Sequence, residues 1–449
     1  MPPYNMTLDE ITLRALQNFN EHWITGKIPD RLKEQNKREQ FNELHANLRK
    51  RQILSITGLR RVGKTTLMFQ LIDILLQEGV HPDNILYFSF DEITAKQIEI
   101  IDELIQYMLS KEKTEKKETL KFIFFDEIQK VENWQALLKR YYDLKYPLKC
   151  IISGSESLLL KGKTKESLAG RNYEFTIPTL SFREFLQFKG IIIEKKANEK
   201  HYEELLKNKQ KIKSLFDEFI LKGGFPETVN QSIEEAQKYI KEAVIEKIIF
   251  SDIPAQFKIT NPEILLKILE IASSNTSCLF ELENLTTPLN INRNSASLYV
   301  SYLENSFLLR LSYNFTKSKL KQLRTSKKIY VTDTGIINAL LKHTSLDESD
   351  YIGKLVETIV YNELSRKKKI FFWRDKLKHE VDIILEEDKI LPIEIKYRNT
   401  LLKRDSENIQ FFIEKNNLEE GIIITKDEKK KEKEIQFIPA WFFLASTSP

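Results

Sequence analysis

Apolar positions along this chain recur in two rhythms. Short continuous runs, within QILSITG, ILYFSFDE, KFIFFDEIQK and LKCIISGSES, are closed by acidic or small polar residues and predict buried strands. Between them TLMFQLIDILLQEG and IIDELIQYML carry the wider helical spacing. Ahead of the first run, Leu13, Leu16, Phe19 and Trp23 fall at helical intervals, and Lys37–Lys50 makes a second amphipathic helix through Phe41, Leu44 and Leu48. From about 181 to 260 the pattern is helical throughout, broken sharply at Gly223–Glu227 by two glycines and a proline. Three more helical segments and an extended piece follow. In the third of these helices Ala296, Leu298, Val300 and Leu303 are expected to pack, with Arg293, Asn294, Ser295, Ser297 and Tyr302 outward. The chain closes with a helix (GKLVETIVYNELSR), three strands (IFFWR, HEVDIIL, ILPIEIK), a helix (NIQFFIEKN) and a strand (GIIIT).

The 449 residues can bury several cores, and 41% hydrophobic with 30% charged residues is ordinary for a globular protein. Cys150 and Cys278 show no paired spacing, so neither a disulfide framework nor a zinc site is expected. No apolar run approaches the roughly 18 residues of a membrane span, and the first residues lack the pattern of a secretory signal. A cytoplasmic location without membrane contact is the expectation. The net charge of +5 says little. More telling is Lys317–Lys328, rich in lysine with no acidic residue, which suits contact with phosphates or a merely solvated face.

GLRRVGKTT, Gly58–Thr66, carries the first chemistry. Its spacing matches the Walker A loop of a P-loop NTPase, and it sits between a strand and a helix as that loop requires. Gly58 and Gly63 let the backbone curl so that N–H groups, including those of Arg61, Val62, Lys64 and Thr66, converge on phosphate. The positive end of the following helix points at the same anion. Lys64 would reach the β- and γ-phosphates, and Thr65 would offer its hydroxyl to Mg2+. The second signal is the strand Phe122–Phe125 ending in Asp126 and Glu127, the Walker B arrangement: Asp126 for the metal, Glu127 as general base toward water. The next strand ends in Ser153 and Ser155. Ser155 is the first choice for a polar sensor of the γ-phosphate, and Ser153 the second. Residues 1–50 either cover the core or touch the nucleotide base.

GLRRVGKTT, FFDEIQ, SGSES, LAGR and SFREFL together resemble the archaeal-type P-loop ATPases related to AAA+ and STAND proteins, prokaryotic enzymes with an attached helix-turn-helix and C-terminal domain. The resemblance implies ATP rather than GTP, a helical lid behind the core, GGFP in its present place, and Arg171 as an arginine finger. Whether Arg171 would act within its own chain or on a neighbouring copy in a homo-oligomer stays open, as does simple pairing with an acidic residue.

The helices of 261–330 read as a winged helix whose third helix enters a DNA major groove, or as a packing module of the same shape. The element order of the last domain resembles the PD-(D/E)XK nuclease superfamily. Asp382 lies in one strand, and Glu394 and Lys396 share a face of the next by alternation; a turn at 386–388 brings the two strands together. Glu357 on the opening helix completes the acidic set. Asp382 and Glu394 could hold Mg2+ or Mn2+ against a scissile phosphate, with Lys396 steadying the attacking water. A structural ion network is the competing expectation.

The expected architecture is therefore α/β: an N-terminal helical segment (1–50), a P-loop ATPase core on a parallel sheet (51–180), a helical lid (181–260), a winged helix (261–330) and a restriction-endonuclease-like domain (331–449). The expected activity is Mg2+-dependent ATP hydrolysis that governs a DNA-engaging C-terminal domain, with cleavage itself open. The alternative is a regulatory ATP switch whose last domain is a catalytically silent protein-interaction module.

Overall fold

The computed structural model describes residues 10–91, 98–110, 119–154, 168–194, 199–257, 259, 261–316, 318, 320, 322 and 325–446. The chain divides into two compact units, 1–178 and 179–449.

In the first unit, β1 (Ile53–Thr57), β2 (Ile85–Ser89), β3 (Lys121–Asp126), β4 (Leu148–Gly154) and β5 (Asn172–Thr176) form one sheet in the order β2-β3-β4-β1-β5. Every pairing is parallel, and β4 stands between β1 and the Walker B strand β3. β1 and β2 are buried along their whole length, which is why they read as unbroken apolar runs. Between the strands run α4 (Lys64–Gln77), α5 (Glu99–Ser110) and α6 (Trp134–Asp143), the last two packing Ile101, Leu104, Trp134 and Leu138 into a core with Phe88, Phe90 and Phe125.

Among the described residues three short α-helices precede the sheet: α1 (Glu10–Phe19), α2 (His22–Thr25) and α3 (Phe41–Asn47). Among the described residues β2 pairs with β3 alone, so its other edge would expose unpaired peptide groups. Asn20 fills that edge as a strand would: its Oδ1 accepts from Tyr87 N at 2.7 Å and its Nδ2 donates to Tyr87 O at 2.8 Å. Trp23 Nε1 donates to Ile85 O at 2.7 Å. The first part of the N-terminal segment is thus an edge cover.

The second unit begins with helices α7 (Phe182–Phe188), α8 (Glu199–Leu206), α9 (Lys209–Lys222), α10 (Ile233–Tyr239) and α11 (Ile253–Phe257). This is the segment expected as a lid, and it groups with the rest of 179–449. Then come α12 (Glu263–Ser274), β6 (Leu279–Phe280), α13 (Glu283–Leu289), α14 (Arg293–Asn305), β7 (Leu309–Tyr313) and β8 (Lys327–Val331), with β6, β8 and β7 joined antiparallel. The expected border at 330/331 falls inside β8. On α14, Ala296, Val300 and Leu303 are buried as expected, but Leu298 is exposed. Tyr302 is half-buried and stacks on Phe257, ring centroids 4.1 Å apart.

α15 (Thr334–Leu341) and α16 (Ser349–Leu364) lead to a six-stranded sheet. β9 (Ile370–Arg374), β10 (Glu380–Glu386) and β11 (Ile390–Lys396) are antiparallel. After α17 (Glu407–Asn416), β12 (Gly421–Thr425) joins β11 in parallel, as β14 (Ile435–Pro439) joins β12. β13 (Lys430–Glu432) and β14 make an antiparallel hairpin, and α18 (Ala440–Ser446) ends the described chain. The helix–three strands–helix–strand order read from the sequence is the order observed.

GGFP has a structural role that the sequence left without one. Gly223 is left-handed (φ 72°), and a Cβ there would meet Asp333 Oδ1 at 1.8 Å. Gly224 N donates to Asp333 Oδ2 at 2.9 Å, Gly335 N donates to Asp333 Oδ1 at 2.8 Å, and Leu180 N donates to Gly224 O at 2.6 Å. Arg366 Nη2 donates to Thr179 O at 2.9 Å. The first residues of the second unit are held by this buried clasp.

Candidate functional site

The phosphate loop leaves β1 at its carboxyl end. Gly58 has φ 144°, and a Cβ on it would lie 2.2 Å from Ile177 O, so the position admits only glycine. Gly63 (φ 90°) and Arg61 (φ 65°) complete the curl, and α4 starts directly at Lys64. Lys64 is buried and donates to Gly58 O at 3.2 Å and Leu59 O at 2.9 Å. Arg38, ahead of α3, donates to Val62 O at 2.6 Å and to Pro178 O at 2.8 Å, so the stretch before α3 supports the loop from outside.

Opposite lies Asp126 at the end of β3. Thr65 Oγ1 donates to Asp126 Oδ2 at 2.6 Å, Ser153 Oγ donates to Asp126 Oδ1, and Tyr87 OH donates to Oδ2 at 2.9 Å. Ser153 Oγ also accepts from Glu127 N at 3.2 Å. Glu127 sits in the left-handed region (φ 53°), uncommon for a residue with a side chain and a mark of functional turns. Burial pushes its carboxyl above the ordinary range, Lys64 pulling the other way and Asp126 adding to the rise. A hydroxyl and a carboxylate 2.6 Å apart at the head of α4 are hard oxygen donors of the kind Mg2+ takes, so the residues present fit that ion.

Ser155 lies outside the described residues; the polar group seen at the Walker B turn is Ser153, the second choice. Tyr87 was missed. Its signal was a hydroxyl-bearing ring in the middle of the largely apolar ILYFS strand, next in space to β3. Arg171 stands at the amino-terminal end of β5, where its carbonyl accepts from Ile53 N, whereas the phosphate loop leaves the other end of the sheet. Its Nε is 2.7 Å from Asp143 Oδ1. Within its own chain Arg171 makes the acidic pairing, and it does not meet the loop.

The second constellation lies wholly in the second unit. The β10–β11 hairpin brings Asp382 beside Glu394: Asp382 N donates to Glu394 Oε2 at 3.2 Å, and Ile395 N donates to Asp382 Oδ2 at 3.0 Å. A register shift between Val381 and Ile384 marks a bulge at Asp382, the kind of irregularity that re-aims a side chain. Lys396 Nζ lies 2.5 Å from Glu394 Oε1, as alternation along β11 predicts. Glu357 of α16 joins them, accepting from Tyr330 OH at 2.8 Å. In their midst is Lys328 of β8, 3% exposed, with Nζ 3.0 Å from Glu357, 2.8 Å from Glu380 and 3.1 Å from Asp382. Burial would lower the Lys328 ammonium, but Glu357, with Tyr330, Asp382 and Glu380, holds it well above its usual value. Burial likewise raises Glu357 and Glu394, whereas Lys328 and Lys396 overcome burial at Asp382 and hold it low.

Lys328 was expected to face phosphate or solvent; it is turned into the fold instead, where the two-residue period of a strand places Lys328 and Tyr330 on one side of β8. Lys317, Lys319, Lys321 and Arg324 lie outside the described residues. Among the described residues no three His, Cys, Asp or Glu side chains are disposed to hold a metal ion, and no helix is long and apolar enough to cross a membrane.

A parallel β2-β3-β4-β1-β5 sheet with a glycine phosphate loop on β1 and an Asp-Glu end on β3 gives the first unit the P-loop fold of the AAA+ class, and residues 50–186 match the family model described as AAA domain. Residues 213–347 and 352–443 match two models described as domains of unknown function, DUF8612 and DUF4143. The chain is 30% identical over 411 residues to uncharacterized protein MJ1544 of Methanocaldococcus jannaschii, covering 86% of each, and it belongs to the family of that protein. It is 29% identical to MJ1637 of the same organism (88% of this chain, 85% of the relative) and 27% identical to an uncharacterized protein of Haemophilus influenzae (70% and 74%). Among solved structures, the Thermotoga maritima RuvB Holliday junction branch migration motor aligns at 16% identity over 67% of this chain and 98% of that one, TM-score 0.30. The Aeropyrum pernix Orc1 protein in complex with DNA aligns at 9% over 70% and 95%, TM-score 0.33. Likeness at those TM-scores carries no further argument.

Proposed function

We propose that the protein is an Mg2+-dependent ATPase whose nucleotide state governs the second unit, and that its C-terminal domain is a nuclease-like fold that does not cut. The carrying observation is the set Lys64, Thr65, Asp126, Ser153 and Glu127 at one end of β1 and β3. The loop N–H groups and Lys64 would bind the phosphates; Thr65 and Asp126 would hold Mg2+, which supplies charge neutralisation on the phosphoryl oxygens. Glu127, raised in pKa by burial, would take the proton of the attacking water. Phosphate release with ATP and Mg2+ tests this: Lys64→Ala should lower it by about 10²-fold or more, as loss of a charge-stabilising donor does. Undiminished turnover in that variant sinks the reading.

The helices α12 to α14 with the β7–β8 hairpin support a winged helix, and the αβββαβ order supports a PD-(D/E)XK-like fold. The regulatory reading gains from Lys328, whose ammonium occupies the acidic cluster. DNA engagement is the second reading. It rests on the exposed start of α14, at Arg293, Asn294 and Ser297. Against it, Arg293 pairs with Glu283, and the cleft of about 710 Å³ beside α14 also carries Glu281 and Glu304. Salt-dependent DNA binding that is weakened by Arg293→Ala would restore it.

A further inference from the structure

We infer that Lys328 is a built-in cation that takes the place of the divalent metal in the nuclease-like cluster, so that the intact chain binds no metal through Asp382. The inference deepens the non-cutting reading of the C-terminal domain and rests on it. An ammonium has three N–H donors, and here three carboxylates, Glu357, Glu380 and Asp382, stand 2.8 to 3.1 Å from Nζ, so its donor capacity is filled. Magnesium or manganese would need the same oxygens at shorter range, about 2.0–2.2 Å, and the two cations cannot share that volume. Glu394 is committed as well: Oε1 to Lys396 and Oε2 to the Asp382 N–H. With the side chain of Lys328 3% exposed, no incoming ion displaces it without opening the fold.

The lysine comes from another element group than the carboxylates. β8 belongs to the three-stranded sheet, Glu357 to α16, and Glu380 and Asp382 to β10 of the six-stranded sheet. A metal would bind only the last two groups to each other; Lys328 adds the first. The residues that would cut DNA thus serve as the socket of an interdomain staple.

The test is binding of Mn2+ alone, without nucleotide, followed by the electron paramagnetic resonance of the free ion. Four full-length chains are compared: the wild type, Asp382→Asn, Lys328→Met, and Lys328→Met with Asp382→Asn. Asp382→Asn isolates this cluster from Mn2+ held at Asp126. The wild type should bind no more Mn2+ than Asp382→Asn. Lys328→Met should gain about one equivalent, at least tenfold tighter than any weak binding by the wild type, and the double variant should lose it. Two results overturn the inference: Mn2+ bound by the wild type and lost in Asp382→Asn, or a folded Lys328→Met that gains none. If Lys328→Met does not fold, the wild type and Asp382→Asn decide alone. Mn2+ bound through Asp382 without any DNA cleavage overturns the inference but leaves the non-cutting reading; Asp382-dependent cleavage overturns both.

Discussion

The two units hold the same chemical inventory, clustered carboxylates with a nearby lysine, and put it to opposite uses. In the first, Lys64 is drawn to loop carbonyls, and Asp126 is met by the hydroxyls of Thr65, Ser153 and Tyr87. Hydroxyls are neutral and can turn, so they bring no cation of their own to the place where one would bind. In the second, Lys328 sits on the carboxylates and neutralises them from within. A lysine beside an acidic pair therefore says little until its partner atoms are known: carbonyl oxygens leave a site ready for a ligand, carboxylates close it.

The sharpest break between the two is at the carboxylates themselves. Glu127→Gln keeps the shape of the Walker B turn and removes the base, so steady-state phosphate release should fall by about 10²–10⁴-fold while ATP is still retained. Turnover within tenfold of the wild type would take Glu127 out of the chemistry. The lysines should separate on stability. Lys328→Met strands a buried carboxylate cluster and should cost about 3–5 kcal/mol in denaturant unfolding without metal. Lys64→Ala releases two loop carbonyls and removes one positive charge beside Glu127, in place of three carboxylate contacts, and should cost less. Equal costs would mean that the two lysines hold the fold alike.

The sequence made the first site legible because its signals are covalent neighbours. Gly58, Gly63, Lys64 and Thr65 form one loop, and Asp126 with Glu127 ends one strand; flanking apolar runs placed both at the same sheet edge. The second site was half legible. Alternation put Glu394 and Lys396 on one face and the hairpin brought Asp382 to them, but Lys328 lies in a different element, and the runs around it read as a basic surface. What decides its role is the two-residue period of β8, five residues long, too short to stand out beside the basic stretch before it. Arg171 was placed by resemblance alone, and nothing in its local sequence says which end of β5 it occupies. Leu298 was placed on the packed face but is exposed, because helical spacing fixes a face only to within a residue or so.

The clasp at Asp333 gives a pH-dependent contrast. Burial lifts its carboxyl to about 6, against the hydrogen bonds from Gly224 and Gly335. A raised folded-state value means that the proton favours the fold: the contribution is whole below about pH 4 and is lost as pH rises through 6. The wild type should therefore lose up to about 3 kcal/mol of unfolding free energy across that window from this group. Asp333→Asn should flatten that slope. Below about pH 4, where no charge penalty is present, it should weaken the protein by about 1–3 kcal/mol, because an amide has one oxygen for two N–H donors. A slope unchanged in Asp333→Asn would assign it to other carboxyls.

The smallest expected effect tests what keeps the first site open. Tyr87 is buried, its hydroxyl 2.9 Å from the Asp126 oxygen that Thr65 also reaches. Burial, together with Asp126, raises its phenol, so it stays a donor at any physiological pH. Such a donor does not touch the phosphates; it orients the carboxylate that would hold Mg2+. Tyr87→Phe should therefore raise the Mg2+ concentration for half-maximal phosphate release by about tenfold, the scale on which lost supporting hydrogen bonds weaken metal sites. At saturating Mg2+ the rate should return to near the wild-type value, because Lys64 and Glu127 are untouched. A lowered rate that Mg2+ does not restore would place Tyr87 in the proton-transfer geometry through Glu127 instead. No effect at all would mean that the Thr65 and Ser153 hydroxyls suffice to aim Asp126.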